Sequence, residues 1–228
     1  MDLSSFSTSD FVALALFAAA WVGYSVLVDH GPLSRRTLTT AMDRQRRIWV
    51  EMMQSHEIRI ADTNIVSGLQ QGNAFFATAS MLAIGACLAV LGSGDTVFAV
   101  LSDVAPNEPG ELLETKMIGL ALIFVYAFFK FSWGYRLIVY ASIQVGALPP
   151  PNAVGTPEAA RAIDRAARFL HLAARNFNRG QRAFYFAMAY LGWLASPWAM
   201  VAGTIAVIAV LAHRQFWSRP ARAMAEPE

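Results

Sequence analysis

Lysine is almost missing from this chain: Lys116 and Lys130 stand alone, and the other basic side chains are arginines and four histidines. Charge of either sign is scarce, at 15% of residues against 56% hydrophobic, and the formal net charge is only +2. A soluble domain would carry a charged coat, and a nucleic-acid binder would need a basic face without so much apolar mass, so neither class fits. Cysteine is limited to Cys87, inside an apolar run. One thiol cannot build an intrachain disulfide framework or a cysteine zinc motif, and it reads as a packed small side chain. The first 20 residues hold no Lys or Arg and do hold Asp2 and Asp10. The positive start of a cleavable signal peptide is therefore missing, and the first apolar run is expected to stay in the protein.

Catalytic signatures are missing too. There is no HExxH spacing, no GxSxG elbow, no glycine-rich phosphate loop and no pair of carboxylates in a plausible cleft. His30, His56, His171 and His213 show no i, i+4 pairing with one another. No catalytic residue, metal site or cofactor is assigned from the sequence, and an enzyme has no support in it.

What the chain does have is long apolar runs. A bilayer core about 30 Å thick takes roughly 20 apolar residues in a helix that satisfies its own backbone. Four stretches meet this, at about 10–28, 75–91, 117–136 and 184–212, in what reads as one membrane domain over 1–228. Ala15, Ala19 and Gly23 in the first, and Ala195, Ala199 and Gly203 in the fourth, form small-residue stripes suited to close helix approach. The second span is expected to stop at the polar turn Gly92–Ser93–Gly94–Asp95. The third stays apolar to about Leu148, so its helix should outrun the membrane, and Pro197 predicts a kink in the fourth.

Arginines fill the first loop (Arg35, Arg36, Arg44, Arg46, Arg47, Arg59) and the third (Arg161, Arg165, Arg168, Arg175, Arg179, Arg182), while the second holds Lys116 among Asp103, Glu108, Glu111 and Glu114. Basic residues in short loops stay cytoplasmic, which places loops one and three inside a bacterial inner membrane and both termini outside. Arg214, Arg219 and Arg222 run against that reading of the C-terminus. A re-entrant or broken fourth segment would remove the conflict.

Both basic loops read as helical. Over 34–71 there is no proline, and Trp49, Met52, Met53, Ile60 and Val66 gather on one side at 100° per residue, predicting one long amphipathic helix. His56 and Arg59 fall near that stripe; they either snorkel or pair with Asp62, or they line a binding or gating site. Over 156–182, Thr156, Pro157 and Glu158 mark a helix start. Beyond it Arg175, Asn178, Arg179 and Arg182 are either topology anchors facing anionic lipid or, if they converge, an anion-attracting vestibule. Lys130 and Arg136 are charges within the third span, where ionisable groups are costly; snorkelling competes with a functional role.

Along the chain stand Arg47, Trp49, Met53, Glu57, Arg59 and Asp62, then Gly72, Phe75, Phe76 and Ala77, then Asn178, Gly180, Arg182, Tyr185 and Phe186. In this order they resemble the uncharacterised bacterial and plant integral membrane family catalogued as domain of unknown function 599. The resemblance implies a multi-helix membrane fold and no particular activity.

The sequence thus predicts an all-α polytopic membrane protein with about four transmembrane helices and two long helical cytoplasmic loops. Candidate binding residues are His56, Arg59, Asp62, Lys130, Arg175, Asn178, Arg179 and Arg182. The expected partners are membrane lipids and either further copies of the chain or another membrane protein, with no nucleic acid. Transport or conductance of ions or small anionic solutes by a homo-oligomer comes first, since so small a chain has little room for a private pathway. An accessory or scaffold subunit is the alternative, and a membrane enzyme comes last.

Overall fold

Ser7 starts the first helix: its hydroxyl accepts from the Asp10 backbone N–H while the Asp10 carboxylate accepts from the Ser7 N–H, a reciprocal cap. The computed structural model describes residues 6–92 and 110–224. Its helices are α1 (Thr8–Asp29), α2 (Leu38–Ser55), α3 (Ile60–Gly92), α4 (Gly110–Gly146), α5 (Pro157–Leu191), α6 (Pro197–Ala212) and a short α7 (Arg219–Ala223). No strand occurs among the described residues. Residues 93–95 of the polar turn expected after the second span, and Asp103 and Glu108, lie outside them.

Four segments are long and apolar enough to cross a membrane: Thr8–Asp29, Ile60–Gly92, Leu112–Gly146 and Pro197–Ala223. The protein is an all-α, multi-pass membrane protein. The 37 residues of α4 make a rod of about 55 Å, far beyond a 30 Å apolar layer. α3 and α5 flank it, whereas α6 packs against the C-terminal half of α5 and α1 packs chiefly on α6.

Inside the layer, burial against lipid tails gives helices little reason to associate, so close packing must hold them. Phe131 is fully buried and stacks on Phe76 at 5.2 Å, with Phe177 and Phe184 set edge-on around it. Gly180 makes room for that ring, since a Cβ there would stand 2.7 Å from it. Across α5, Trp21 stacks on Phe186 at 5.4 Å and Phe17 meets Tyr190 edge-on. The ring contacts contribute about 0.5–1.5 kcal/mol each.

Beyond the layer, α2 closes over the extended ends of α4 and α5. Val50, Met53, Val145, Ala166 and Leu170 form a second core there. This one is driven by water, at about 1.5–3 kcal/mol for each large side chain removed from it. Arg47 of α2 reaches Asp164 of α5 at 2.8 Å; its hydrogen bond to Glu51 first, and then the Asp164 charge, raise its pKa above the ordinary arginine value.

Three expectations differ from the structure. The helix expected over 34–71 is two helices, because the chain turns at His56–Arg59. Within α2 the buried face is Val50, Met53 and Gln54 while Met52 is exposed; the turn resets the angular phase, so that in α3 Asp62 and Val66 are buried and Ile60 is exposed. The expected span 184–212 is two antiparallel limbs. Residues 184–191 end α5, the chain reverses through Gly192–Ser196, and Ser196 caps a new helix whose first residue is Pro197. Proline forces the residue before it into extended backbone, and Ser196 at ψ 157° is the N-cap of α6 and not a kink within one helix. Finally, Ala15 and Ala19 are exposed, and α1 contacts its neighbours through Ala13, Phe17 and Trp21.

The reversal sets α6 back along α5, with Gly203 on Ala189, Gly192 on Ala199, and Arg214 bonded to Tyr185. The C-terminal half of α5 therefore lies alongside α6. The N-terminus and the described C-terminus lie at opposite ends of the bundle, not together as the sequence suggested.

Candidate functional site

Asp29 is the last residue of α1, where the helix dipole disfavours a negative charge. Cations on α5 answer it. Arg175, Arg179 and Arg182 recur at intervals that keep them on one helix face. The Arg179 Nε donates to Asp29 Oδ2 at 2.8 Å, the Arg182 Nη2 donates to the same oxygen at 2.7 Å, and the Arg175 Nη2 donates to the Asp29 backbone carbonyl at 2.9 Å. Arg182 is only 6% exposed and its Nε has no hydrogen-bond partner.

α2 begins beside this cluster. A short turn over Pro32–Arg36 delivers Thr37, whose hydroxyl accepts from the Thr40 N–H and caps the helix. The next hydroxyl that matters is Thr39, which accepts from Asn178 Nδ2 at 3.3 Å and from Gln215 Nε2 at 2.8 Å, joining α2, α5 and the end of α6. Between them lies a polar cleft of about 220 Å³. Arg46, Arg175, Arg182 and Arg214 line it, Asp29 is its one carboxylate, and the first turn of α2 forms a wall. Guanidiniums fork onto oxyanions, and a helix N-terminus adds positive potential, so the cleft suits an anion.

Arg46 and Asn178 are also the rim of a second cavity, about 290 Å³, between α3 and α5. Its walls are mostly apolar or small, among them Gly68, Gly72, Ala173, Ala174 and Phe177, with the buried Asn73, whose Oδ1 has no hydrogen-bond partner, as a polar member. Arg46 is held at that rim by Asp43 at 2.5 Å, and Asp43 also contacts His171 Nδ1 at 2.6 Å.

Of the residues singled out in the sequence, Arg175, Asn178, Arg179 and Arg182 are brought together here. His56, Arg59 and Asp62 are not; they build the turn between α2 and α3. Asp62 accepts from Trp49 Nε1 at 3.0 Å and pairs with His56 Nδ1 at 2.8 Å. Arg59 donates to the carbonyls of Met53, Val145, Leu148 and Pro149, closing the C-terminal ends of α2 and α4 at once. Thirteen residues of α3 separate Ile60 from Asn73 beside the second cavity, or about 20 Å. Lys130 lies over the Tyr126 ring at 5.2 Å and lines neither cavity.

Sequence reasoning missed Asp29, Thr39, Arg46, Arg214 and Gln215 as members of the site. Only Asp29 carried a local signal, an acid at the end of a helix that its dipole disfavours. Also missed was a buried polar lock at the far end of the bundle. There Trp193 Nε1 donates to Asp10 Oδ1 at 2.7 Å and Lys116 Nζ donates to the Trp193 carbonyl at 2.8 Å. Among the described residues no group of histidine, cysteine and carboxylate side chains is placed to hold a metal ion.

No curated protein and no solved structure gives a significant match to the chain. The model of the family described as "Protein of unknown function, DUF599" matches residues 12–220, nearly the whole length, and the chain belongs to that family.

Proposed function

We propose that this is a bacterial inner-membrane protein that takes a small anion into the arginine-lined cleft and works as a homo-oligomeric channel or transport component. The observation that carries the reading is the cleft itself: four guanidiniums and a helix N-terminus line a space of about 220 Å³ that holds one carboxylate. Arginines are retained on the cytoplasmic side. Loops one and three, the cleft and the C-terminus with its Arg214, Arg219 and Arg222 then all face the cytoplasm, and the charge conflict in the sequence disappears.

A pathway through one protomer has no support, because Phe131 and Phe186 fill the middle of the bundle and Trp193 is buried at its far end. Any route for the anion runs between copies, with one cleft per protomer as its vestibule. The test is the mass of the purified protein in mild detergent, followed by chloride and phosphate flux in liposomes holding only this protein. A defined homo-oligomer with anion flux, reduced about tenfold by Arg175→Gln, is the expected result. A flux-silent protein that copurifies with other chains would replace this reading with that of an accessory subunit.

A further inference from the structure

The two cavities share Arg46 and Asn178, and they differ in character: one is cationic and hydroxylated, the other is walled by glycine, alanine, leucine, isoleucine and phenylalanine, with Asn73 as its one further polar side chain. A free inorganic anion would use only the first. We infer that together they form one site for an anionic phospholipid, whose phosphate sits among the guanidiniums while an acyl chain lies in the groove between α3 and α5. This inference rests on the anion-binding reading of the cleft.

The placement fits a lipid in three respects. Around the cleft stand Arg46, Arg175, Arg179, Arg182 and Arg214, with Asp29 and Asp43 the carboxylates that contact them, so positive charge remains after every ion pair is formed. The groove opens sideways, since Leu69 at its lip is 42% exposed. It is also hollow for want of side chains: a Cβ at Gly68 or Gly72 would meet nothing within 4 Å. Space left by glycine on a membrane helix is ordinarily filled by a neighbouring helix. Among the described residues no helix fills it, and the groove shares Arg46 and Asn178 with the arginine-lined cleft.

The last point supplies a clean test. A Cβ at Gly72 meets nothing within 4 Å, so Gly72→Leu should fill the groove and leave the cleft untouched, whereas Arg175→Gln should weaken the cleft alone. The full-length protein, stripped of lipid in mild detergent, would be titrated with dioctanoyl phosphatidylglycerol, dioctanoyl phosphatidylcholine and inorganic phosphate, with thermal unfolding confirming that each variant is folded. The expected pattern is that phosphatidylglycerol binds at least about tenfold more tightly than either other ligand. Gly72→Leu should lose that advantage while keeping phosphate binding, and Arg175→Gln should weaken both anionic ligands. If phosphate binds the unaltered protein as tightly as phosphatidylglycerol, or if Gly72→Leu leaves lipid binding unchanged, the groove takes no chain and the lipid proposal is overturned while the anion reading stands. If neither anionic ligand binds, both readings fall.

Discussion

Asp29 has two opposed effects on the cleft. It holds Arg179 and Arg182 in place through one carboxylate oxygen, and it cancels part of the charge that would draw an anion. Removing one partner of an ion pair leaves the other without its countercharge, which costs about 3–5 kcal/mol in a dry interior. Here Asp29 is 16% and Arg179 29% exposed, so water offsets part of the loss and about 1–3 kcal/mol is a better figure. Asp29→Asn should therefore lower the unfolding temperature while tightening phosphate binding severalfold. Calorimetric titration and thermal unfolding on the same preparation check both signs. A variant that is less stable and binds phosphate more weakly would mean that the carboxylate is needed to shape the site. Arg59 shows the contrasting case, in which a residue that reads as a site candidate is consumed by four backbone carbonyls. Its identity as arginine was legible; its employment was not, because Val145, Leu148 and Pro149 lie some 90 positions away in the chain.

Elements were legible where their signals are local. Thr156–Pro157 marks the start of α5 in the sequence as it does in the structure, because a cap and a proline act on their own turn. The breaks at His56–Arg59 and Gly192–Ser196 were not resolved correctly, because tertiary contacts decide them: Asp62 and Arg59 fasten the first, and Gly192 against Ala199 permits the second. Glycines divide along the same line. A Cβ at Gly180 strikes the buried Phe131 ring, which is hemmed in by Phe76, Phe177 and Phe184; one at Gly72 meets open space. Alanine improves helix propensity by up to about 1 kcal/mol at either place, whereas overpacking costs about 1–3 kcal/mol. Gly180→Ala should thus lower the thermal unfolding midpoint in detergent and Gly72→Ala should hold or raise it. Equal responses from the two would show that the Phe131 ring moves aside freely.

At the scale of the whole molecule, the composition and the apolar runs were enough for an all-α membrane fold. They were not enough for the path of the chain, because residues 184–212 are apolar throughout and hydropathy does not register a reversal inside an apolar run. The reversal turns α6 back along α5. The N-terminus and the described C-terminus therefore stand at opposite ends of the bundle, and on the proposed orientation the end of α6 faces the cytoplasm. Arg214 at Tyr185 and Gln215 at Thr39 put the end of α6 beside the start of α2. Single-cysteine labelling tests this directly, since Cys87 is buried and is the only cysteine to remove. On a Cys87→Ser background, Ser55→Cys and Ala223→Cys should react with an impermeant maleimide from one side of the membrane, and Thr8→Cys from the other. If Ala223→Cys instead reacts together with Thr8→Cys, α6 continues onward from α5 and the cleft loses Arg214 and Gln215. The anion site would then have to stand on the arginines of α5 and Arg46 alone.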